Sequence, residues 1–175
     1  MKITAHFKVL IYFFLFLLYN NIYAQQVLKF NGINLYPSYH QIDSTFINSI
    51  EKTNANWLSL ITYIYGKTDS PYLGHDLQYQ KWGESIEGLK YCIKAAHDKG
   101  MNVMLKPSLW YIDYGWPGEL IFEDLNDQLE WQQNFESYIM EMVELSNQEN
   151  VEMICFGTEL NQQLRMSRPW TICFK

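Results

Sequence analysis

Cysteine is scarce in this chain, and its spacing excludes two classes of small domain. The three cysteines, Cys92, Cys155 and Cys173, lie far apart, and none belongs to a C-x-x-C pair. An odd number at such spacing predicts neither a disulfide framework nor a zinc site. We expect Cys92 on the apolar face of a helix and Cys155 within a strand, both reduced. The residues imply no metal and no cofactor.

Positive charge is also in short supply. Thirteen Lys and Arg residues stand against nineteen Asp and Glu residues, which gives a formal net charge of −6. Proteins that bind nucleic acid or anionic membrane surfaces carry basic patches. The acidic balance therefore predicts neither of these partners.

A long apolar run occurs at the N-terminus. The segment from Val9 to Tyr19 follows two lysines and precedes a small residue, Ala24. This order is typical of a secretory signal peptide. The alternative, a membrane anchor, requires about 20 apolar residues. We predict a signal peptide over 1–24 and a mature domain over 25–175, whose net charge moves from −6 to −8 because two lysines are removed. The protein is then exported to the periplasm, cell surface or medium, with no membrane association after cleavage.

Short apolar strands alternate with amphipathic helices along the rest of the chain. Strands are predicted at Gly32–Tyr36, at Asn56–Thr62, at Met101–Lys106 (closed by Pro107) and from Val151 onward. Helices are predicted after a cap at Asp43 or Ser44, over Glu84–Lys99 with Gly100 ending it, and over about Asp127–Gln148. Such alternation predicts a parallel sheet with helical crossovers.

Helical spacing also predicts which side chains enter the core. In the second helix these are Ile86, Leu89, Ile93 and Ala96. In the third they are Trp131, Phe135, Tyr138, Ile139, Met142 and Leu145.

Long loops follow the strands, and this asymmetry favours one α/β architecture. The first runs from about Tyr63 to Gly83, and another carries Trp110 and Trp116. Loops at the C-terminal ends of strands are typical of a (β/α)8 barrel. A doubly wound sheet would place a glycine-rich turn after its first strand, and no G-x-G-x-x-G is present there. Six Trp and thirteen Tyr residues suit the apolar faces of sugars, although a core role is the alternative for most.

Four residues are candidates for chemistry or binding. Glu159 ends the fourth predicted strand, where burial against apolar neighbours would raise the pKa of its carboxyl and fit it for general acid/base work. The alternative is a cap or an ion pair with Arg165. Lys106 either donates to a sugar hydroxyl or forms an ion pair, for example with Glu159. Trp110 and Trp116 are either platforms for sugars or loop packing.

Several segments of the chain, taken together, resemble one enzyme family. They are Ala95-Ala-His97, Met104-Leu-Lys-Pro-Ser-Leu-Trp110, Trp116-Pro-Gly118 and Cys155-Phe-Gly-Thr-Glu-Leu160. In order and spacing they are similar to glycoside hydrolase family 113, whose members are (β/α)8 retaining β-mannanases of clan A. The resemblance runs from about Phe30 to Leu160.

This resemblance implies roles for individual residues. Glu159 matches the acid/base, and Lys106 and Trp110 match positions that line the substrate cleft. The implied ligand is a β-linked, mannan-like polysaccharide or oligosaccharide. Ser108 departs from the pattern because the family commonly has His after the Lys-Pro pair, so a contact with substrate is altered here.

A second departure concerns the nucleophile. A retaining glycosidase needs another carboxylate about 5 Å from the first. The resemblance implies a Glu at the end of strand seven, whereas the pattern here ends after strand four. We therefore expect a barrel truncated to about four βα units, inactive or nearly so alone. The alternatives are a non-catalytic carbohydrate-binding protein and a half-barrel that self-associates through uncovered strand edges.

Overall fold

The computed structural model describes residues 29–75, 77–78, 80–113 and 115–162. The chain divides into two units, Met1–Phe30 and Asn31–Lys175. In the first, only residues 29 and 30 are described, and they have no regular secondary structure. The predicted signal peptide, Arg165 and Cys173 lie outside the described residues. Of the helices that the structure describes, none is long and apolar enough to cross a membrane.

The first strand and helix form as the sequence predicts. Strand β1 spans Gly32–Leu35 and helix α1 spans Ser44–Glu51. The carboxylate of Asp43 accepts hydrogen bonds from two backbone N–H groups of the first helical turn, at 2.8 and 3.2 Å. This cap satisfies donors that the helix itself leaves free. Ile47 and Ile50 then turn one face of α1 into the core.

The second strand is longer than predicted, and a hairpin occupies part of the predicted loop. Strand β2 spans Trp57–Lys67, and β3, Ser70–Gly74, folds back to pair antiparallel with its end. The boundary predicted at Thr62 is wrong because alternate residues remain buried beyond it, through Ile64 and Gly66. A strand continues wherever that alternation and a pairing partner persist.

Helix α2 spans Ile86–His97 and packs on the sheet. Leu89, Ile93 and Ala96 are buried as predicted. Ile86 is 36% exposed, contrary to prediction; it is the first residue of the helix, where neighbouring turns cover it on one side only. Gly100 follows with φ +70°, the left-handed conformation that glycine adopts without strain.

Strand β4, Asn102–Tyr111, runs through Pro107 instead of ending there. The carbonyl of Leu105 accepts a hydrogen bond from the N–H of Cys155, so the backbone polar groups of Leu105 point away from β2. Residue 107 lies two positions further along the strand, so its backbone polar groups point the same way. The missing N–H of Pro107 therefore falls on the side where pairing has already ended, and the bonds to β2 are unaffected. As a result Trp110 belongs to a strand and not to a loop.

The last helix confirms its predicted core face. Helix α3 spans Leu125–Glu149, and Asp124 caps its first turn. All six side chains predicted to be buried are buried. Strand β5, Met153–Ile154, is shorter than predicted because only Met104 and Leu105 of β4 pair with it.

The two described cysteines are both free. Burial raises the pKa of the Cys92 thiol to about 11, so this core residue is an unreactive thiol, as predicted. Cys155 lies directly after β5 and is half-buried, so its predicted place within a strand is wrong by one residue.

The strands form one sheet in the order β1-β2-β4-β5, all parallel, with β3 beside the end of β2. Helices connect the parallel strands, as predicted. One face of the sheet is apolar and buried, with Leu58, Leu60, Val103 and Leu105 among its residues. On the opposite face, where most residues are polar or aromatic, Ile61 lies beside Lys106, Tyr63 beside Ser108 and Tyr65 beside Trp110. This second face positions the candidate site.

Candidate active site

Glu159 lies in a tight turn just after β5. Gly157 has φ +152° and Glu159 has φ +62°, an unusual value for a residue with a side chain. A Cβ atom at Gly157 would lie 2.6 Å from Cδ1 of Leu160, and residues with side chains rarely adopt this φ, so a substitution there would be strained. Leu160 is buried and anchors the turn to the core. The left-handed backbone holds Glu159 at the protein surface.

The carboxylate of Glu159 is held by Trp116. The indole Nε1–H donates a hydrogen bond to Oε2 at 3.1 Å. The same indole lies against Gly118, where a Cβ atom would come within 2.6 Å of Cζ2. The N–H of Gln162 also donates to the carbonyl of Gly118 at 3.3 Å. The two turns that carry Glu159 and Trp116 therefore fix each other.

Glu159, Trp110 and Trp116 line one surface cavity of about 250 Å³, which we call the Glu159 cavity. Trp110 is 49% exposed and Trp116 is 44% exposed, so ring surface is available to a ligand. Leu109, Tyr111, Gly115 and Pro117 complete the lining. The prediction that Glu159 is buried is wrong: its side chain is exposed, because the turn places it at the cavity's rim.

Lys106 lies apart from this cavity. It is half-buried in β4 on the same face as Trp110 but four residues earlier, roughly 13 Å along a strand. Among the described residues, no ion pair joins Lys106 and Glu159. The alternative in which Lys106 pairs with Glu159 is therefore wrong.

A row of aromatic rings runs from Trp110 along the sheet, and the sequence did not predict this row. The ring of Tyr63 meets that of Trp110 edge to face at 6.0 Å, and Tyr65 follows at 6.1 Å from Tyr63. Burial raises the pKa of Tyr63, and the nearby carboxylates Glu84 and Glu159 add to the effect. The pattern Tyr-x-Tyr would have revealed this row if β2 had been predicted beyond Thr62.

A buried carboxylate supports the row from behind. The hydroxyl of Tyr65 donates to Oε2 of Glu84 at 2.8 Å. The Glu84 side chain is fully buried, and its Oε1 lacks a hydrogen bond, with Nζ of Lys81 3.9 Å away. Burial raises the pKa of Glu84, although Tyr65 and Lys81 act in the opposite direction. Lys81 in turn donates to the hydroxyl of Tyr36 at 2.8 Å.

The chemistry available at this site is that of a single carboxylate between indole rings. Glu159 is the one carboxylate among the described residues that line its cavity. In the part of the chain that the structure describes, no group of three His, Cys, Asp or Glu residues could hold a metal ion.

Solved structures share this fold. AaManA, a glycoside hydrolase family 113 β-mannanase from Alicyclobacillus acidocaldarius solved with ManMIm, is 19% identical at a TM-score of 0.74, covering 82% of this chain and 49% of that one. A family 113 β-1,4-mannanase complex is 17% identical (TM-score 0.70; coverage 82% and 50%). A further β-1,4-mannanase structure is 17% identical (TM-score 0.71; coverage 83% and 51%). A comparison with curated proteins found no match.

These likenesses show the fold of a family 113 barrel, and the chain spans about half the length of the solved structures that it matches. The family itself is shown by sequence. The model of glycoside hydrolase family 113 matches residues 39–174, more than half of the chain. This match confirms the resemblance seen in the Lys-Pro and Gly-Thr-Glu-Leu segments: the chain belongs to glycoside hydrolase family 113.

Proposed function

We propose that this protein acts on β-1,4-linked, mannan-like glycans as a retaining glycoside hydrolase, with Glu159 as the acid/base. The observation that carries the proposal is the hydrogen bond from Trp116 to Glu159 inside a cavity lined by two exposed indoles. The structural neighbours are β-mannanases, which indicates the class of glycan.

The aromatic rings fit the binding part of this function. Sugar rings present C–H edges that pack on the faces of Trp and Tyr side chains. Trp110 and Trp116 offer such faces at the rim of the cavity. A glycan that packs on them lies within reach of the Glu159 carboxyl, whose orientation Trp116 fixes.

The proposed proton transfers use Glu159 twice. Its carboxyl group first donates a proton to the leaving glycosidic oxygen. Its carboxylate then takes a proton from the water that releases the sugar. The covalent step between them needs a second carboxylate about 5 Å away. No second carboxylate among the described residues lines the cavity, so we propose that residues 1–175 alone do not complete the reaction.

The same observation favours a second candidate function. A chain with indole platforms and a single carboxylate in its cavity is equipped to bind a glycan without cutting it. In this alternative Trp110 and Trp116 supply the affinity, and Glu159 contributes a hydrogen-bond acceptor at most.

A matched set of variants separates the two functions. Hydrolysis of mannohexaose and its binding by calorimetry are measured for the chain, for Glu159→Gln and for Glu144→Gln, an exposed carboxylate on α3. Hydrolysis lost only in Glu159→Gln supports the role of Glu159 and overturns the proposal that residues 1–175 alone do not complete the reaction. Binding without hydrolysis that weakens only in Glu159→Gln supports the incomplete enzyme. Binding without hydrolysis, with Glu159→Gln unchanged, supports the binding protein. Hydrolysis that survives Glu159→Gln overturns the role of Glu159, and an absence of both activities overturns both functions.

Self-association is proposed as a property of the half-barrel. The described part of β5 pairs only with β4, and β1 pairs only with β2, so each presents an edge. Exposed edges are templates for pairing with another chain. Sedimentation as a dimer supports this proposal, and a strictly monomeric, cooperatively folded species contradicts it.

Export is proposed from the N-terminal pattern of charge, apolar run and small residue. N-terminal sequencing of the protein recovered outside the cytoplasm should begin at Gln25. Retention of the full chain inside the cell would overturn the proposal.

A further inference from the structure

A second cavity lies beside the hairpin formed by β2 and β3. It measures about 450 Å³, within the range of small-molecule sites. Its lining includes Tyr65, Asp69, Ser70, Tyr72, Leu77 and Ile112. We propose that this hairpin cavity is a distal saccharide subsite that binds a further unit of the glycan held in the Glu159 cavity. The inference rests on the proposed function and deepens it.

The lining has the mixed character that sugars require. Tyr72 is 61% exposed and Ile112 is 43% exposed, so both present apolar surface to a ligand. The carboxylate of Asp69 is exposed beside them and can accept hydrogen bonds from sugar hydroxyls. An apolar platform with a few polar groups at its edge is the composition of a carbohydrate site.

The absence of a side chain at Gly74 leaves room for the ring of Tyr72. A Cβ atom at Gly74 would lie 3.2 Å from the hydroxyl of Tyr72 and 3.3 Å from its Cε1. The Tyr72 ring therefore lies close along β3, over the backbone of Gly74. Because Gly74 pairs with Tyr65 in β2, the ring of Tyr72 shares the sheet face of Tyr65.

A row of aromatic rings links the linings of the two cavities. Tyr65 lines the hairpin cavity and is the register partner of Trp110, which lines the Glu159 cavity. The row of rings from Trp110 through Tyr63 to Tyr65 joins them. A β-1,4-linked chain lying along this row passes from one cavity to the other.

The hairpin is fastened to the loop that carries Trp116. The carboxylate of Asp113 accepts hydrogen bonds from the N–H of Thr68, at 2.9 Å, and from its hydroxyl. These bonds lower the pKa of Asp113. Gly115 approaches so closely that a Cβ atom would fall 2.0 Å from Cγ2 of Thr68. The two cavities are therefore held in a fixed relation, which reduces the entropic cost of binding a ligand that spans both.

The test uses ligand length. Calorimetry compares mannobiose with mannohexaose for the unaltered chain, Tyr72→Ala, Asp69→Asn, Trp116→Ala and Phe46→Ala, the last removing an exposed ring on α1. We expect Tyr72→Ala to weaken mannohexaose binding about five- to tenfold, in line with the loss of one aromatic contact. Its mannobiose binding should be unchanged. Trp116→Ala should weaken both ligands, and Phe46→Ala neither.

The outcomes separate the subsite from the proposed function. If Trp116→Ala weakens binding but Tyr72→Ala and Asp69→Asn bind mannohexaose as the unaltered chain does, the distal subsite is overturned and the function stands. If the unaltered chain binds neither ligand, both are overturned. Thermal melting by circular dichroism checks that Tyr72→Ala is folded, which its exposed side chain leads us to expect.

Discussion

The indole Nε1–H of Trp116 and Oε2 of Glu159 are joined by a hydrogen bond of 3.1 Å, although the two residues lie 43 positions apart. The bond links the loop after β4 with the turn after β5. Because the indole also lies against Gly118, the donor is held in place on its other side. A ligand that packs on Trp116 therefore meets the group that orients the candidate acid/base.

The strength of this link can be measured by a double-mutant cycle. We expect Trp116→Phe and Glu159→Ala to show a coupling energy of about 0.5–1 kcal/mol in urea unfolding, because each removes the same hydrogen bond. Trp110→Phe with Glu159→Ala is the control, since Trp110 lines the cavity and is not the donor. An equal coupling in both cycles would show that the hydrogen bond is not its source.

The backbone at Glu159 should carry strain. A residue with a Cβ atom at φ +62° is disfavoured by roughly 1–2 kcal/mol, whereas glycine is not. Glu159→Gly should therefore be about 1 kcal/mol more stable than Glu159→Ala in urea unfolding. The two variants both lack the carboxylate, so the comparison isolates the backbone. Equal stability of the two variants would contradict the strain.

The βα order and much of the core follow from periodicity alone. The burial of Leu89, Ile93 and Ala96 in α2 was predictable because helical spacing defines one face. A cap at Asp43 or Ser44 was predictable because short polar side chains precede an apolar helical pattern, and Asp43 provides it. Such features depend on neighbours in sequence.

Features that depend on pairing were not predictable in this way. Pro107 was expected to end a strand, yet β4 continues because the missing N–H points away from β2. The hairpin strand β3 was missed for a similar reason, since its own residues do not indicate that it pairs with β2. At the site, Glu159 and both tryptophans were predicted, but Glu84 was not, because its role comes from burial against Tyr65.

Burial of Glu84 predicts a pH dependence of stability. Burial raises its folded pKa above the ordinary value of 4.5, so at a pH between the unfolded and folded pKa values the native state binds more proton than the unfolded chain. The stability that this proton contributes is present below about pH 4.5 and is lost as the pH rises through the folded pKa.

Urea unfolding between about pH 4 and about pH 8 tests this sign. In Glu84→Gln, residue 84 cannot titrate. Relative to this variant, the unaltered chain should lose stability with rising pH. The stability of Glu144→Gln, a change at an exposed position, should vary with pH as that of the unaltered chain does. A gain in stability with rising pH relative to Glu84→Gln would contradict the burial argument.

Gly88 is the position where the helix meets the turn that carries Glu84. A Cβ atom there would lie 2.0 Å from the carbonyl oxygen of Trp82 and 3.1 Å from Cα of Gly83. Both are backbone atoms, so the turn Trp82–Glu84 would have to move. Alanine favours a helix over glycine by about 1 kcal/mol. Overpacking against backbone costs about 1–3 kcal/mol or more, and a Cβ-to-oxygen distance of 2.0 Å places the cost at the upper end of that range.

We therefore expect Gly88→Ala to lower the free energy of unfolding by about 1–3 kcal/mol. Glu87→Ala, exposed in the same helical turn, should change it by less than about 0.5 kcal/mol. Because the displaced turn holds Glu84 against Tyr65, Gly88→Ala should also alter the near-ultraviolet circular dichroism of the aromatic row. If Gly88→Ala were instead stabilising, helix propensity would outweigh the close approach, and α2 would be free to shift without disturbing the Tyr65 contact.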